Sequence, residues 1–244
     1  RAPLPSPRPT VPFDDSLQMP NFKPYEVFER NGLKIGVIGG IQLGENGLPD
    51  FHPKNAGGSH FRPLNEVLPE YLPKLRDECD LVFLLSHCGY EEDRETAEQF
   101  PDLDAIFGGH SHTRVSETQL VNGVLVTQAE AKVKFVTLST FTLKKGKVID
   151  KQMELLSVKE FPKRNEEVQA MVDEYNDNDY FRTVVTNNTT PIDNYESLGC
   201  LMTDAIRYTT GADMGFQNPG GARYDTLSAR PVTLKDIFAL DPFD

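Results

Sequence analysis

The segment Leu84–Thr113 reads LLSHCGYEEDRETAEQFPDLDAIFGGHSHT and holds three of the five histidines of the chain, His87, His110 and His112. Imidazole is the commonest side-chain metal ligand. The apolar run Asp80-Leu-Val-Phe-Leu-Leu stops at Ser86-His87. A second run, Asp104-Ala-Ile-Phe, stops at Gly108-Gly-His-Ser-His112. Two buried strands of one sheet would each end on histidine, and loops beyond strand ends are where sites assemble in α/β sheets. The paired glycines permit a tight, even left-handed backbone that brings nearby imidazoles together. Taken singly, each histidine is more simply a hydrogen-bonded structural residue. Taken together the three raise a metal site to an equal reading, and the pattern alone leaves both open.

The neighbouring carboxylates Glu91, Glu92 and Asp93 read as the solvated first turn of a helix, where the dipole favours negative charge. Cys88 reads as a small semi-buried residue at a strand end rather than as a nucleophile. His52 and His60 fall in a loop-like stretch rich in Gly and Pro and read as exposed loop residues.

Elements must position these groups. The run Tyr25-Glu-Val-Phe-Glu, then Asn31-Gly32, then Leu33-Lys-Ile-Gly-Val-Ile-Gly39 predicts a tight hairpin with an inner second strand. Leu64, Val67, Leu68, Tyr71, Leu72 and Leu75 predict one apolar helical face, with Pro69 and Pro73 expected to kink or break it. Strand, helix (Asp93 to Phe100) and strand follow, an alternation that favours a layered α/β domain. Thr118–Val121, Val124–Gln128, Lys134–Thr142 and Val148–Leu156 predict a β-meander with turns at Asn122-Gly123 and Lys145-Gly146. Arg164 to Tyr180 predicts a helix. Phe181 onward reads as strand, turn, a helix with Leu198, Leu201, Met202, Ala205 and Ile206 on one face, and a short strand Ala212–Phe216. That strand leads into Gln217-Asn-Pro-Gly-Gly-Ala-Arg223. A Gly-Gly turn flanked by Asn and Arg can present backbone N–H groups and a guanidinium fork to an anion, although alone it reads simply as a turn.

Composition narrows the function classes. The chain has 244 residues, 38% of them hydrophobic and 25% charged, which suits one large or two modest globular domains. A net charge of −12 argues against a DNA or RNA groove, since phosphate backbones need clustered Lys and Arg. An acidic protein can still take an anionic substrate where bound cations dominate the local field. No apolar run approaches the roughly 18 residues of a membrane span. Three cysteines without CxxC spacing give neither a disulfide framework nor a Cys-rich zinc site. Residues 1–24 carry seven prolines and read as an extended lead-in without the apolar core of a signal peptide.

SHCGYEED followed by DAIFGGHSHT resembles the second half of a calcineurin-like metallophosphoesterase domain of the 5'-nucleotidase family. The resemblance implies a layered α/β fold, a metallophosphoesterase β-sandwich flanked by helices, present here in part. The implied divisions are a lead-in (1–24), the C-terminal part of the metallophosphoesterase domain (25–160), a linker helix (161–180) and the first part of a 5'-nucleotidase C-terminal domain (181–244). It also implies a centre of two divalent ions, Zn, Mn or similar, with His87 and His110 serving one and His112 the other. The 217–223 loop is similar to the family's Asn-x-Gly-Gly-x-Arg loop, and the segment to Phe243 to its Pro-Phe element. By that likeness Asn218, Gly220, Gly221 and Arg223 contact the nucleotide substrate and Phe243 stacks on the base. The resemblance also has departures. Relatives often carry glycines just beyond the Thr127-Gln128-Ala129 run, where this chain has Glu130 and Val133. An arginine commonly found upstream of the C-terminal domain's helix has no counterpart, Asn194 and Tyr195 occupying the region, and Cys200 replaces an asparagine.

No Asp-x-His precedes Leu33 and no Asn-His pair occurs anywhere. The family's remaining metal ligands and its transition-state histidine are therefore missing, and no catalytic residue is assigned. The expectation is a fragment, shortened at both ends and weak or inactive alone, of a nucleotide phosphoester hydrolase that converts nucleoside monophosphate to nucleoside and phosphate. A cyclic-nucleotide phosphodiesterase, a nucleotide-sugar hydrolase and a non-catalytic nucleotide-binding remnant share these motifs. Family members of this type are usually exported, which implies an extracytoplasmic site.

Overall fold

A computed structural model describes residues 23–51, 54, 57, 59–161 and 163–242, so the Pro-rich lead-in to residue 22, His52 and Phe243 lie outside the described residues. The chain divides into two compact units, residues 1–162 and 163–244.

In the first unit Asn31 (φ 51°) and Gly32 (φ 78°) make the expected tight turn between β1 (Tyr25–Arg30) and β2 (Leu33–Ile41). The two left-handed residues match the twist of the antiparallel strands they join. The chain continues through α1 (Leu64–Glu78), β3 (Leu81–His87), α2 (Tyr90–Gln99), β4 (Ala105–Phe107), β5 (Leu120–Val121) and β6 (Val124–Thr127). The sheet order is β1-β2-β3-β4-β6-β5. The inner strands β2, β3, β4 and β6 are parallel, with antiparallel β1 and β5 at the edges.

Residue parity sorts the two faces. Ile38, Leu84, Ile106 and Val126 join Leu68 and Leu75 of α1 and Ala97 of α2 in one core. Ala105 and Leu125 point the other way, where Met153, Phe141 and Leu155 cover them. These come from β7 (Phe135–Lys144) and β8 (Lys147–Ser157), a hairpin that forms its own sheet. The expected single meander is therefore two structures: β6 enters the parallel sheet beside β4, and β7–β8 lies across that sheet's second face. Apolar residues on both faces of β6, all buried, explain its place inside.

Asp104 pins the amino-terminal ends of the inner strands. Its carboxylate accepts the Val82 N–H at 2.9 Å and pairs with Arg76 of α1 at 3.0 Å and Lys151 of β8 at 3.6 Å. The helix over 64–78 runs unbroken despite Pro69 and Pro73. Both prolines are exposed while Leu68, Leu72 and Leu75 are buried. The carbonyls they leave unpaired thus face water, where the lost hydrogen bonds cost least.

The second unit holds α3 (Glu166–Asn176), α4 (Asp179–Arg182), β9 (Val184–Asn187), α5 (Tyr195–Thr210), β10 (Pro231–Thr233) and α6 (Leu234–Leu240). The single helix expected over 164–180 is two, with Asn165 and Asn178 capping them through Val168 N–H and Phe181 N–H. No strand forms over 212–216. A small core gathers Leu198, Met202, Leu227, Val232 and Leu240. Arg230 grips Asp236 with two bonds of 2.8 and 2.6 Å, and Thr233 adds its N–H and hydroxyl to the same carboxylate. The guanidinium and these donors hold Asp236 well below the usual carboxylate range.

Glu130 (φ 60°) and Val133 (φ 53°) occupy left-handed backbone just after β6, at the positions singled out as glycine in relatives. A left-handed L-residue costs about 1–2 kcal/mol, against about 0.5–1 kcal/mol of extra chain entropy for glycine. Val133 is 75% exposed and gives up little packing. Val133→Gly is expected to stabilise the chain by about 0.5–1 kcal/mol in urea unfolding.

Candidate functional site

The site assembles at the carboxyl ends of the parallel strands. β3 pairs with β4 with Leu85 opposite Phe107, so two residues on, His87 at the end of β3 comes level with Gly109 just past β4. At Gly109 a Cβ would lie 3.0 Å from His87 Nδ1, and at Gly108 it would overlap Asp93 Oδ2 and come within 3.1 Å of the Thr127 carbonyl. Neither position accepts a side chain without moving its neighbour. The chain then turns through His110 (φ 75°) and His112 (φ 55°), both left-handed. Non-glycine residues in this region are strained and concentrate at functional sites.

His87 and His110 face each other edge to face with ring centres 5.2 Å apart. Burial lowers the pKa of His87, and the charges of His110 and His112 lower it further. Both effects disfavour the charged imidazolium form of His87. His87 and His112 are exposed at the rim and His110 is half-buried. The structure thus brings the three predicted histidines into one electrostatic neighbourhood. Two imidazoles on one tetrahedral ion, with metal–nitrogen distances of about 2.0–2.1 Å, place their ring centres roughly 5 Å apart. The donors fit a divalent metal in type and, for His87 and His110, in separation. They fall short in number: among the described residues no three His, Cys, Asp or Glu side chains are grouped so as to hold one ion. His60 lies exposed in its loop, as expected.

Several residues that sequence reasoning passed over support this loop. Asp93, expected in a solvated first turn with Glu91 and Glu92, is fully buried. The Ser86 hydroxyl donates to its Oδ1, while Oδ2 has no hydrogen-bond partner among the described residues. Burial pushes the Asp93 carboxyl up to about 7, with Glu92 adding to the rise. Helical phase explains the difference, since Asp93 lies one turn before the buried Ala97 and shares its face. Gln128, at the end of β6, is buried and bonds to residues on both sides of His110 and His112. The signal for Gln128 was there, a polar residue closing the apolar strand Val124-Leu-Val-Thr-Gln. Cys88 is buried and its thiol is pushed up to about 12, which leaves it inert as a nucleophile.

In the second unit, Pro219–Gly221 forms one 3-10 turn, closed by Gly221 N–H donating to the Asn218 carbonyl at 2.9 Å. Arg223 N–H donates to the Leu240 carbonyl at 2.8 Å, which anchors the loop to the end of α6. Asn218, Gly220 and Arg223 are exposed and Gly221 is buried; Asn218, Gly220 and Gly221 belong to this turn and Arg223 follows it.

Residues 168–244 match the family described as 5'-nucleotidase, C-terminal domain. A 5'-nucleotidase of Vibrio parahaemolyticus is 24% identical across 91% of this chain and 50% of its own length. An uncharacterized metallophosphoesterase of Bacillus subtilis is 29% identical over 120 residues, 48% of this chain and 25% of that protein. Among solved structures, the 5'-nucleotidase precursor of Thermus thermophilus shares the fold with a TM-score of 0.77 at 23% identity, over 92% of this chain and 50% of that one. The chain resembles 5'-nucleotidases along most of its length and spans a quarter to a half of these curated relatives. Its mixed α/β architecture is shared with that 5'-nucleotidase structure.

The buried carboxyl gives a pH test. Asp93 ionises near 4 in an unfolded chain and near 7 in the folded one. Its contribution to stability is complete below about pH 4 and is lost as pH rises through 7. Asp93→Asn is expected to gain stability relative to wild type between pH 5 and pH 8, measured as the difference in Tm at the two pH values. A constant difference would reject the assignment.

Proposed function

We propose that this chain carries part of a metal-dependent phosphoester hydrolase acting on nucleotides, of the type that converts a nucleoside monophosphate to nucleoside and phosphate. The observation that carries the reading is the His87–His110 pair at ligating separation, beside a left-handed loop that presents His112. Relatives named 5'-nucleotidase and the C-terminal domain match support it. His87 and His110 would hold one divalent ion of the zinc or manganese type and His112 a second. When bound, such ions offset charge on phosphoryl oxygens and lower the pKa of bound water. Partial desolvation and the neighbouring imidazoles disfavour the charged form of His87, which favours the lone pair that a metal would take. With a chain charge of −12, an anionic substrate depends on that local cationic field. In the second unit Asn218, the Gly220–Gly221 turn and Arg223 would contact the nucleotide, with Phe243 stacking on its base. An extracytoplasmic setting belongs to the same reading. No helix among the described residues is long and apolar enough to cross a membrane.

One observation favours a second reading, a nucleotide-binding chain without turnover: no three-donor group forms among the described residues. Phosphate release from a panel of nucleoside monophosphates, 2',3'-cyclic nucleotides and nucleotide sugars with Mn²⁺ separates the readings. Turnover that His110→Ala reduces by about 100-fold or more supports the hydrolase, a loss of about 2.7 kcal/mol in transition-state stabilisation. Nucleotide binding without turnover supports the alternative, and neither binding nor turnover rejects both.

A further inference from the structure

We infer that Gln128 is the positioning residue that sets His110 and His112, an inference that rests on their reading as metal ligands. Its carboxamide reaches three successive points of the histidine loop. Nε2 donates to the Gly109 carbonyl at 3.0 Å, immediately before His110. Oε1 accepts the Ser111 hydroxyl at 3.1 Å, between the two histidines, and the Thr113 N–H immediately after His112. Gln128 is 1% exposed, so water cannot replace these bonds.

The backbone on either side repeats the pattern. Val115 N–H donates to the Gln128 carbonyl at 3.0 Å and Glu130 N–H donates to the Thr113 carbonyl at 3.1 Å. Ser111 Oγ in turn accepts the first helical N–H of α2, from Tyr90, at 3.0 Å. The clasp therefore joins the end of β6, the histidine loop and the start of α2. A left-handed L-residue costs about 1–2 kcal/mol, and His110 and His112 are two such residues separated only by Ser111. Such a conformation persists only where its surroundings over-determine it. Bonds to the residue before, between and after supply that determination. Only an amide does this, because the site needs one donor and one acceptor on a single planar group. A carboxylate lacks the donor and an alkyl chain lacks both. Residues that orient metal ligands in this way typically change metal affinity 10–100-fold when altered.

The test compares wild type with Gln128→Leu by imidazole ¹H–¹⁵N spectra of the metal-free chain, Thr113 amide exchange and Co²⁺ binding. The expected result is a shift of the His110 and His112 imidazole signals with the exposed His60 unmoved. Thr113 exchange should accelerate about tenfold and Co²⁺ affinity fall about tenfold. Unmoved His110 and His112 signals with wild-type exchange in a folded Gln128→Leu would overturn the inference. If Gln128→Leu does not hold the fold, Gln128→Glu decides through the same His110 signal, since it keeps both acceptor contacts and loses the donor to Gly109. Co²⁺ that leaves the wild-type imidazoles unmoved would reject the metal reading alone, because the metal-free comparison needs no cation.

Discussion

The register of β3 against β4 is the constraint from which the candidate site follows. A parallel pair with Leu85 opposite Phe107 leaves no freedom over which residues emerge together at the sheet's carboxyl edge. A slip of one residue would send Leu84 and Ile106 away from the helices and turn His87 from Gly109. The buried residues of both faces hold the register, Leu84 and Ile106 with α1 and α2, Ala105 and Leu125 under the β7–β8 hairpin. Asp104 fixes the opposite end by tying Val82, Arg76 and Lys151 to one carboxylate. The imidazole pair is thus positioned by apolar burial and a distant ion-paired anchor before any ligand arrives.

Much of this was legible in the residues. Strand ends at His87 and Phe107, the hairpin at Asn31-Gly32 and the apolar stripe of α1 each follow from local rules, and local rules govern them in the structure. What escaped depended on which element lies beside which. β6 and β7–β8 share a meander-like sequence, yet β6 is buried on both faces while the hairpin leaves Val136, Leu138 and Ile149 exposed on its outer face. Only the partner surface decides that they separate. Asp93 sits among acidic neighbours that do face water, and its burial is visible only through the phase it shares with Ala97. Two prolines in α1 read as a break because their exposure could not be read from the chain alone.

The two units differ in how they hold their shape. The first has a three-layer core of aliphatic and aromatic groups. The second relies more on named polar fastenings: Asn165, Asn178 and Asn194 at helix starts, and the Arg230–Asp236–Thr233 group. Helix caps contribute about 1 kcal/mol each and act locally. A loop such as 217–223, closed by its own turn and tied to the Leu240 carbonyl, keeps its form within such a framework without a large core behind it.

The absence of a side chain at Gly108 has a consequence for how this motif can vary. The space a methyl group would need there is already taken by the Asp93 carboxylate, which reaches across from another element. The two positions therefore form one steric unit, although they lie fifteen positions apart along the chain. A methyl at 108 would also lie 3.1 Å from the Thr127 carbonyl, so a smaller residue at 93 would relieve only part of the crowding. Any residue larger than glycine at 108 must displace a carboxylate and a strand carbonyl together, which makes a histidine loop of this shape slow to remodel.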